Sequence, residues 1–550
     1  MQNAMLPNSL LQTLLPKPQY RAVITCGFGV DLFPLVEPTT NLTSDEDEAK
    51  PAGLRAHGRG HGQTKALLPV AGKKMIDWVL ERVEEAGVFD ILVLSPASIA
   101  KPMGHHLRAR RSAPSTSSSS TPSAKVELEE IPEEVASRGC VRVLMWAAQK
   151  GLITTDFILL PCDLLLSSSN LLAPTISLAA LLDRHRTDDN LMTTLFSERA
   201  AGNVVEARKD GPPEVLTIWD RKTSTVLDIR EMDEFDDDEV PLRTSLLAKF
   251  QSPTLTTSLL PTQLYIFSSV LLPLLASPNH ARRLKHMENF RELAGWVSRL
   301  SWRHGGKDAF SYRTPGSLVR EDGLAMGRSS TQLPVGLLTK DQMNVETSAP
   351  QTGANTPALV SRTSWRPDLV GMGGMTGSGA DGAAPWSTAG KKQSAASARA
   401  GAGGCKIVIW RQGDGFCARG NTVAGWVEIN RAALKLLPPS PPPTNTPAGV
   451  FISPDSYLHS SVYANLGEKV GIKRCIIGKN CSVGKGSKLM NVVIMDGVVL
   501  GENVKLDNCV VSNGVQIRDR AVLKDCEIGR DVIVDFDSQL KGEQLVVEVE

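Results

Sequence analysis

The sequence has no long apolar run, no CxxC pair and almost no net charge, and each absence excludes a class of protein. Its most apolar stretches, Phe157 to Leu166 and Tyr265 to Ala276, fall short of the ~18 to 20 residues that a membrane-crossing helix needs. A transmembrane helix is therefore excluded. Sixty Lys plus Arg face 59 Asp plus Glu, a formal charge of +1, so no global field draws the chain to nucleic acid or to an anionic membrane. The first twenty residues lack the basic start, apolar middle and small-residue cleavage site of a secretory signal. The nine cysteines, Cys26, Cys140, Cys162, Cys405, Cys417, Cys475, Cys481, Cys509 and Cys526, are odd in number and have no metal-knuckle spacing, which fits reduced thiols. A cytosolic protein without disulfides, bound metal or cofactor is the expectation.

What is present divides the chain. At ~150 residues per domain, 550 residues allow two to four domains. Residues 37–63, 104–124 and 315–404 are rich in Ser, Gly and Pro and bury too little apolar surface to offset the entropy of ordering, so they read as flexible insertions. The run PPSPPPTNTP at 438–447 reads as a stiff connector between a first unit at 18–437 and a second at 448–540. In the first, apolar β-rich runs at 21–25, 90–95 and 156–161 alternate with helical patterns near 73–86 and 139–151, the signature of a parallel sheet wound with helices. Later apolar runs at 190–196, 263–275 and 405–410 can extend the sheet, and 281–303 reads as helical.

The second unit carries an internal repeat. Its large apolar residues are Leu466, Ile472, Ile477, Val483, Leu489, Ile494, Leu500, Leu506, Val511, Ile517, Leu523, Ile528 and Val534. They recur in steps of five or six residues with an overall period of 17, so that Ile477, Ile494, Val511 and Ile528 stack. Two residues before each lies a smaller inward position, from Ala464 through Cys475, Cys481, Cys509 and Cys526 to Val532. This pattern describes a three-sided parallel β-helix with one short strand per side. Gly467, Gly478, Gly484, Gly501 and Gly529 directly follow the large residue, and sharp corners are expected there. Only His459 lies beyond residue 450, which leaves an acyltransferase base absent from the coils. The coil cysteines pack as small apolar groups.

Several candidate sites have a plain reading. The run EMDEFDDDE at 231–239 reads as a solvated loop. His57, His61, His105 and His106 fall in insertions without acidic or thiol partners at ligand spacing. The first strand leads into a loop with Gly27 and Gly29, where backbone amides can approach a phosphate; it matches neither the dinucleotide fingerprint nor a P-loop.

The loop and the segments after it resemble the sugar-nucleotide pyrophosphorylase family. Gly27, Gly29, Leu32, Pro34 and Leu35 match its glycine loop, TKALLPVAGKKMI at 64–76 matches its second motif through Lys65, and Asp163 in LPCDLLL matches the aspartate that binds the catalytic magnesium. The loop arginine of that family, which neutralises the triphosphate, falls at Asp31. An anion ~4 Å from a phosphate is unfavourable by up to ~4 kcal/mol at an effective dielectric of ~20, where the arginine would have helped. Gly27, Gly29, Asp31, Lys65 and Asp163 are thus expected to line a vestigial pocket, with no catalytic residue and no metal site.

The combination resembles the gamma and epsilon subunits of eukaryotic translation initiation factor 2B, with further similarity at 242–275 and 416–431. The resemblance implies an α/β nucleotidyltransferase-like (Rossmann-like, mostly parallel sheet) domain followed by a left-handed parallel β-helix of hexapeptide repeats. Only 16 residues follow Val534, too few for the exchange domain of an epsilon type, so the gamma type fits better. It implies a non-catalytic partner of the epsilon subunit and of the other subunits of that factor, acting on translation initiation factor 2, with no direct contact to nucleic acid or membrane. The alternative is an active sugar-nucleotide pyrophosphorylase of the GDP-mannose type.

Overall fold

The computed structural model describes residues 20–36, 64–112, 124–168, 176–199, 214–234, 240, 242–277, 282–304, 404–436 and 447–547. The expected insertions at 37–63 and 315–403, the linker at 438–446, His57, His61 and residues 235–239 of the acidic run lie outside them.

The first unit is built on ten strands: β1 Tyr20–Thr25, β2 Asp90–Pro96, β3 Lys125–Ile131, β4 Asp156–Pro161, β5 Met192–Glu198, β6 Val215–Asp220, β7 Thr225–Glu231, β8 Pro253–Thr256, β9 Leu259–Phe267 and β10 Cys405–Trp410. They lie in the order β8-β6-β7-β10-β5-β9-β4-β1-β2-β3. Strands β7, β8 and β9 run against the other seven, so the sheet is mostly parallel in direction. Its β4-β1-β2-β3 half is wholly parallel.

Both faces are covered, as a parallel sheet requires. Along β1, Ala22 and Ile24 point toward helix α1, Met75–Glu85, while Val23 points to the opposite side, where helices Cys140–Gln149 and Phe290–His304 pack. The alternation follows from the two-residue period of a strand. Two expectations are corrected. The run at 263–275 is a strand only to Phe267 and then turns into the helix Leu272–Ala276, which starts with a proline in its first turn. Residues 104–112, read as part of an insertion, form the second half of helix α2, Ala97–Ser112. The helix is held onto α1 by His106 Nε2, 3.0 Å from Asp77 Oδ1, and by Arg110 on Glu84 at 2.9 Å. His106 thus serves packing between helices.

The second unit is a parallel β-helix with three flat sheets of six, six and four short strands. Ile477 pairs with Ile494, Ile494 with Val511 and Val511 with Ile528, one coil apart. All thirteen large inward residues from Leu466 to Val534 are buried, with Ile477, Val483, Leu489, Ile494, Leu500, Leu506, Val511, Ile517, Leu523 and Ile528 at its centre. The strands continue to Gln544–Leu545. Ala464 departs from the pattern: the first coil replaces one strand by the 3-10 turn Ser460–Asn465, and Ala464 is exposed there.

The corners also differ from expectation. Gly467, Gly484 and Gly501 do not carry the left-handed backbone, but a Cβ on any of them would collide with the backbone of the next coil. The left-handed positions fall two residues past Gly478 and Gly529, in the column Asn480, Gly497, Gly514 and Asp531, and at another corner in the column Arg474, Asn491, Asn508, Asp525 and Gly542. Asn, Asp and Gly tolerate that conformation best. The second column is also a hydrogen-bonded ladder, Asn491 Nδ2 to Asn508 Oδ1 at 2.9 Å and Asn508 Nδ2 to Asp525 Oδ1 at 2.6 Å.

The two units share an apolar cluster. Trp426, Ile429 and Ala433 of helix Val423–Leu436 and Met75 and Trp78 of α1 pack with Ile476, Val493 and Val510, which point outward from one β-helix sheet. The turn Ala71–Gly72 of the small hairpin Pro69–Val70/Lys73–Lys74 has positive φ at both residues, as a two-residue hairpin favours. Buried Asn430 Oδ1 accepts from Ala71 N at 2.9 Å, and a Cβ at Gly72 would overlap the Tyr457 ring of the β-helix.

Candidate functional site

The site lies at the carboxyl ends of β1 and β4. These strands are parallel neighbours, in register from Tyr20↔Asp156 to Thr25↔Pro161, and the chain leaves β1 toward β2 on the side away from β4. Ligands of open α/β sheets bind at such a divergence. The loop after β1 carries Cys26, Gly27 and Gly29, and the one after β4 carries Cys162 and Asp163.

Gly29 has φ +80, and a Cβ there would sit 2.9 Å from the Lys65 Cβ. Its glycine is required twice, by conformation and by the close approach of Lys65. Gly27 is exposed with open space around it. Asp31 is exposed in the 3-10 turn Val30–Leu32, and among the described residues no cation lies within ion-pair reach of it.

Lys65 and Asp163 meet. Lys65 Nζ lies 2.6 Å from Asp163 Oδ2, and Asp163 is fully buried. A third residue completes the cluster: Arg419 donates from its Nε to Asp163 Oδ1 at 3.2 Å, and from one terminal nitrogen to Oδ1 at 3.2 Å and Oδ2 at 3.1 Å. It ends the strand Gly415–Arg419, which pairs antiparallel with Leu164–Ser168 so that Arg419 stands opposite Leu164. Gly420 N donates to the Asp163 carbonyl at 2.9 Å and fixes the same junction. Burial alone would push the Asp163 carboxyl up, but Arg419 and Lys65 outweigh it and hold it at about 2.

The pairing has a pH signature. Because the folded value of about 2 lies below the ordinary 3.8, the group contributes about 2 kcal/mol of stability above pH ~4, lost as pH falls from ~4 to ~2. Urea unfolding between pH 2 and pH 6 is expected to show an acid-dependent loss that is larger by about 2 kcal/mol in the wild type than in Asp163→Asn, because carboxylates such as Glu127, held low by Lys125 and Arg21, titrate in both.

The arrangement does not suit the magnesium that the pyrophosphorylase resemblance implies. Both Asp163 oxygens already accept from cations, and a divalent ion there would stand against Lys65 and Arg419. Among the described residues no group of three His, Cys, Asp or Glu side chains is placed to hold a metal.

Beside this cluster, Cys26 and Cys162 are both buried, and the neighbouring Cys162 thiol together with burial pushes the Cys26 thiol well up. All nine cysteines are unpaired. Burial pushes three thiols of the coils up as well, Cys475 and Cys481 to about 11 and Cys509 to about 12, which leaves these three unreactive. No helix among the described residues is long and apolar enough to cross a membrane.

Sequence comparison matches both units of the fold. Residues 55–293 match a model described as a MobA-like NTP transferase domain, and residues 456–542 match one described as a GlmU-like C-terminal hexapeptide. A nucleotidyltransferase-like domain precedes a hexapeptide-repeat region. The first match takes in Lys65 and Asp163 and begins after the Gly27–Gly29 loop. No curated protein matches the chain.

Sequence reasoning missed Arg419 and the Cys26–Cys162 contact. Arg419 lies 256 residues from Asp163 in a segment singled out only for its likeness to a stretch ahead of a β-helix. A lone arginine at a strand end carries no spacing signal. The cysteines occupy equivalent positions just past β1 and β4, and that equivalence is readable once the two strands are taken as neighbours.

Proposed function

We propose that the chain is a non-catalytic, cytosolic subunit of the guanine-nucleotide exchange complex that acts on translation initiation factor 2. In this reading it pairs with an epsilon-type subunit and supports GDP release through its surfaces. The observation that carries the reading is the burial of Asp163 between Lys65 and Arg419: the carboxylate that a nucleotidyltransferase would present to a metal is consumed in an internal ion pair. The anion Asp31 at the mouth of the glycine loop supports it, since nucleotidyl transfer needs positive charge where pyrophosphate leaves.

The second reading, a pyrophosphorylase of the GDP-mannose type, draws on the surplus of charge at the cluster, two cations to one carboxylate. Two assays separate them. Purified chain incubated with mannose 1-phosphate, GTP and magnesium is expected to release no pyrophosphate above the blank. A tagged chain recovered from its native cells is expected to bring down a stoichiometric heteromeric assembly, and alone it should not accelerate GDP release from translation initiation factor 2. Pyrophosphate turnover by the isolated chain, or recovery without heteromeric partners, overturns the proposal.

A further inference from the structure

The three β-helix sheets differ in what they show to the outside. Residues 456–545 carry 12 Lys or Arg and 11 Asp or Glu, so the region has almost no net charge, but the charges are segregated. On the sheet that meets the nucleotidyltransferase-like domain, the outward residues Ile476, Val493 and Val510 are apolar and covered. The four-stranded sheet shows Ser482, Val499, Gln516 and Ile533 and is neutral. The sheet that begins at Phe451 shows Lys473, Lys488, Lys505, Lys524 and Lys541, all exposed, against the single acid Asp507.

The register stacks like charges. Lys488 stands directly opposite Lys505, and Lys524 has Lys541 opposite it on one side and Asp507 on the other, without an ion pair to Asp507. Neighbouring strands are ~4.8 Å apart, well inside a Debye length of ~8 Å at physiological salt, and like charges facing each other across a strand pair are destabilising. Elsewhere in the same coils, charged neighbours one coil apart are matched, Arg518 with Asp535 at 2.9 Å and Arg520 with Asp537 at 2.8 Å. Among the described residues Lys488, Lys505, Lys524 and Lys541 have no carboxylate within ion-pair reach. Folding alone gives no reason for four unpaired lysines on one flat face.

We infer that this lysine face is the docking surface for an extended acidic segment of a partner polypeptide. From the strand of Lys488 to that of Lys541 is three rungs, about 14 Å, which an extended chain of about five residues spans at ~3.3 Å each. The exposed Met490 and the half-buried Val522 lie between the lysines and suit a segment that mixes Asp or Glu with apolar residues. The face has no arginine, the side chain whose planar fork fits phosphate best, so an acidic peptide is favoured over nucleic acid.

The test uses the full chain and a fluorescent ten-residue peptide of Glu with two Leu, measured by anisotropy at ~0.15 M salt, with a ten-nucleotide RNA as the second probe. The expected result is saturable peptide binding that weakens as salt rises. It should fall at least about tenfold in Lys488→Glu/Lys505→Glu/Lys524→Glu/Lys541→Glu and stay unchanged in the control Lys101→Glu/Lys285→Glu. The four-site variant keeps like charges stacked, with Asp507 now facing a glutamate, so the neutral variant Lys488→Gln/Lys505→Gln/Lys524→Gln/Lys541→Gln is the stability control. It removes the like-charge stacking and no packing, should melt at or above the wild-type temperature, and should lose most of the peptide binding as well, so that lost binding cannot be assigned to misfolding. Absence of peptide binding, equal binding by the four-site variant, or tighter binding of RNA than of peptide overturns the inference.

Discussion

Replacing Asp163 with alanine is expected to destabilise the chain by about 3 to 5 kcal/mol, the usual cost of removing one partner from a buried ion pair. The carboxylate is fully buried, while Lys65 and Arg419 keep only 11% and 18% of their side chains exposed. Its loss leaves two cations facing each other without an anion. The companion variant Lys65→Met/Asp163→Leu/Arg419→Met removes all three charges and is expected to recover most of that loss, since apolar replacements of a whole buried ionic group are often neutral or stabilising. Urea denaturation of the three proteins checks both values. A loss below about 1 kcal/mol in Asp163→Ala would mean that the carboxylate does not hold β4 to the Gly415–Arg419 strand.

Gly484→Ala is expected to cost about 3 kcal/mol or more, at the upper end of overpacking effects, because its Cβ would collide with the backbone of Gly501 in the next coil. No side-chain rotation relieves a clash between two backbones. Gly497→Asn supplies the contrast. Gly497 has φ +73 with its nearest atom 3.9 Å from an added Cβ, and Asn480 and Asp531 already occupy its column. That change is expected to cost less than about 1 kcal/mol, since Asn tolerates the left-handed region. Thermal melts of the two variants should differ by several degrees. If they coincide, the closeness of adjacent coils is not what selects glycine at position 484.

These two sites show what was readable in the sequence and what was not. The β-helix was readable because inward residues must recur with the coil, and all thirteen large positions are buried as their spacing requires. The reason for glycine beside them was not readable. A pattern along one chain does not show how near the next coil passes, and the left-handed corners carry Asn and Asp more often than Gly. In the nucleotidyltransferase-like domain, β1, β2 and β4 follow from local β-rich runs. Edge strand β3, Lys125–Ile131, alternates charged residues with apolar ones and was hidden behind the Ser-rich run. The meeting of Lys65 with Asp163 was legible only as two matches to one family pattern. Arg419 joins them through strand pairing that no local spacing encodes.

The 17-residue ladder restricts how this part of the chain can change in length. Deleting one residue from within a strand between Ile477 and Val534 would turn the apolar side chain of that rung toward solvent, whereas removing a whole coil would leave each remaining rung on an equivalent neighbour. Viable length variants of the prism should therefore differ by whole turns, and single-residue insertions should be confined to its corners or its two ends.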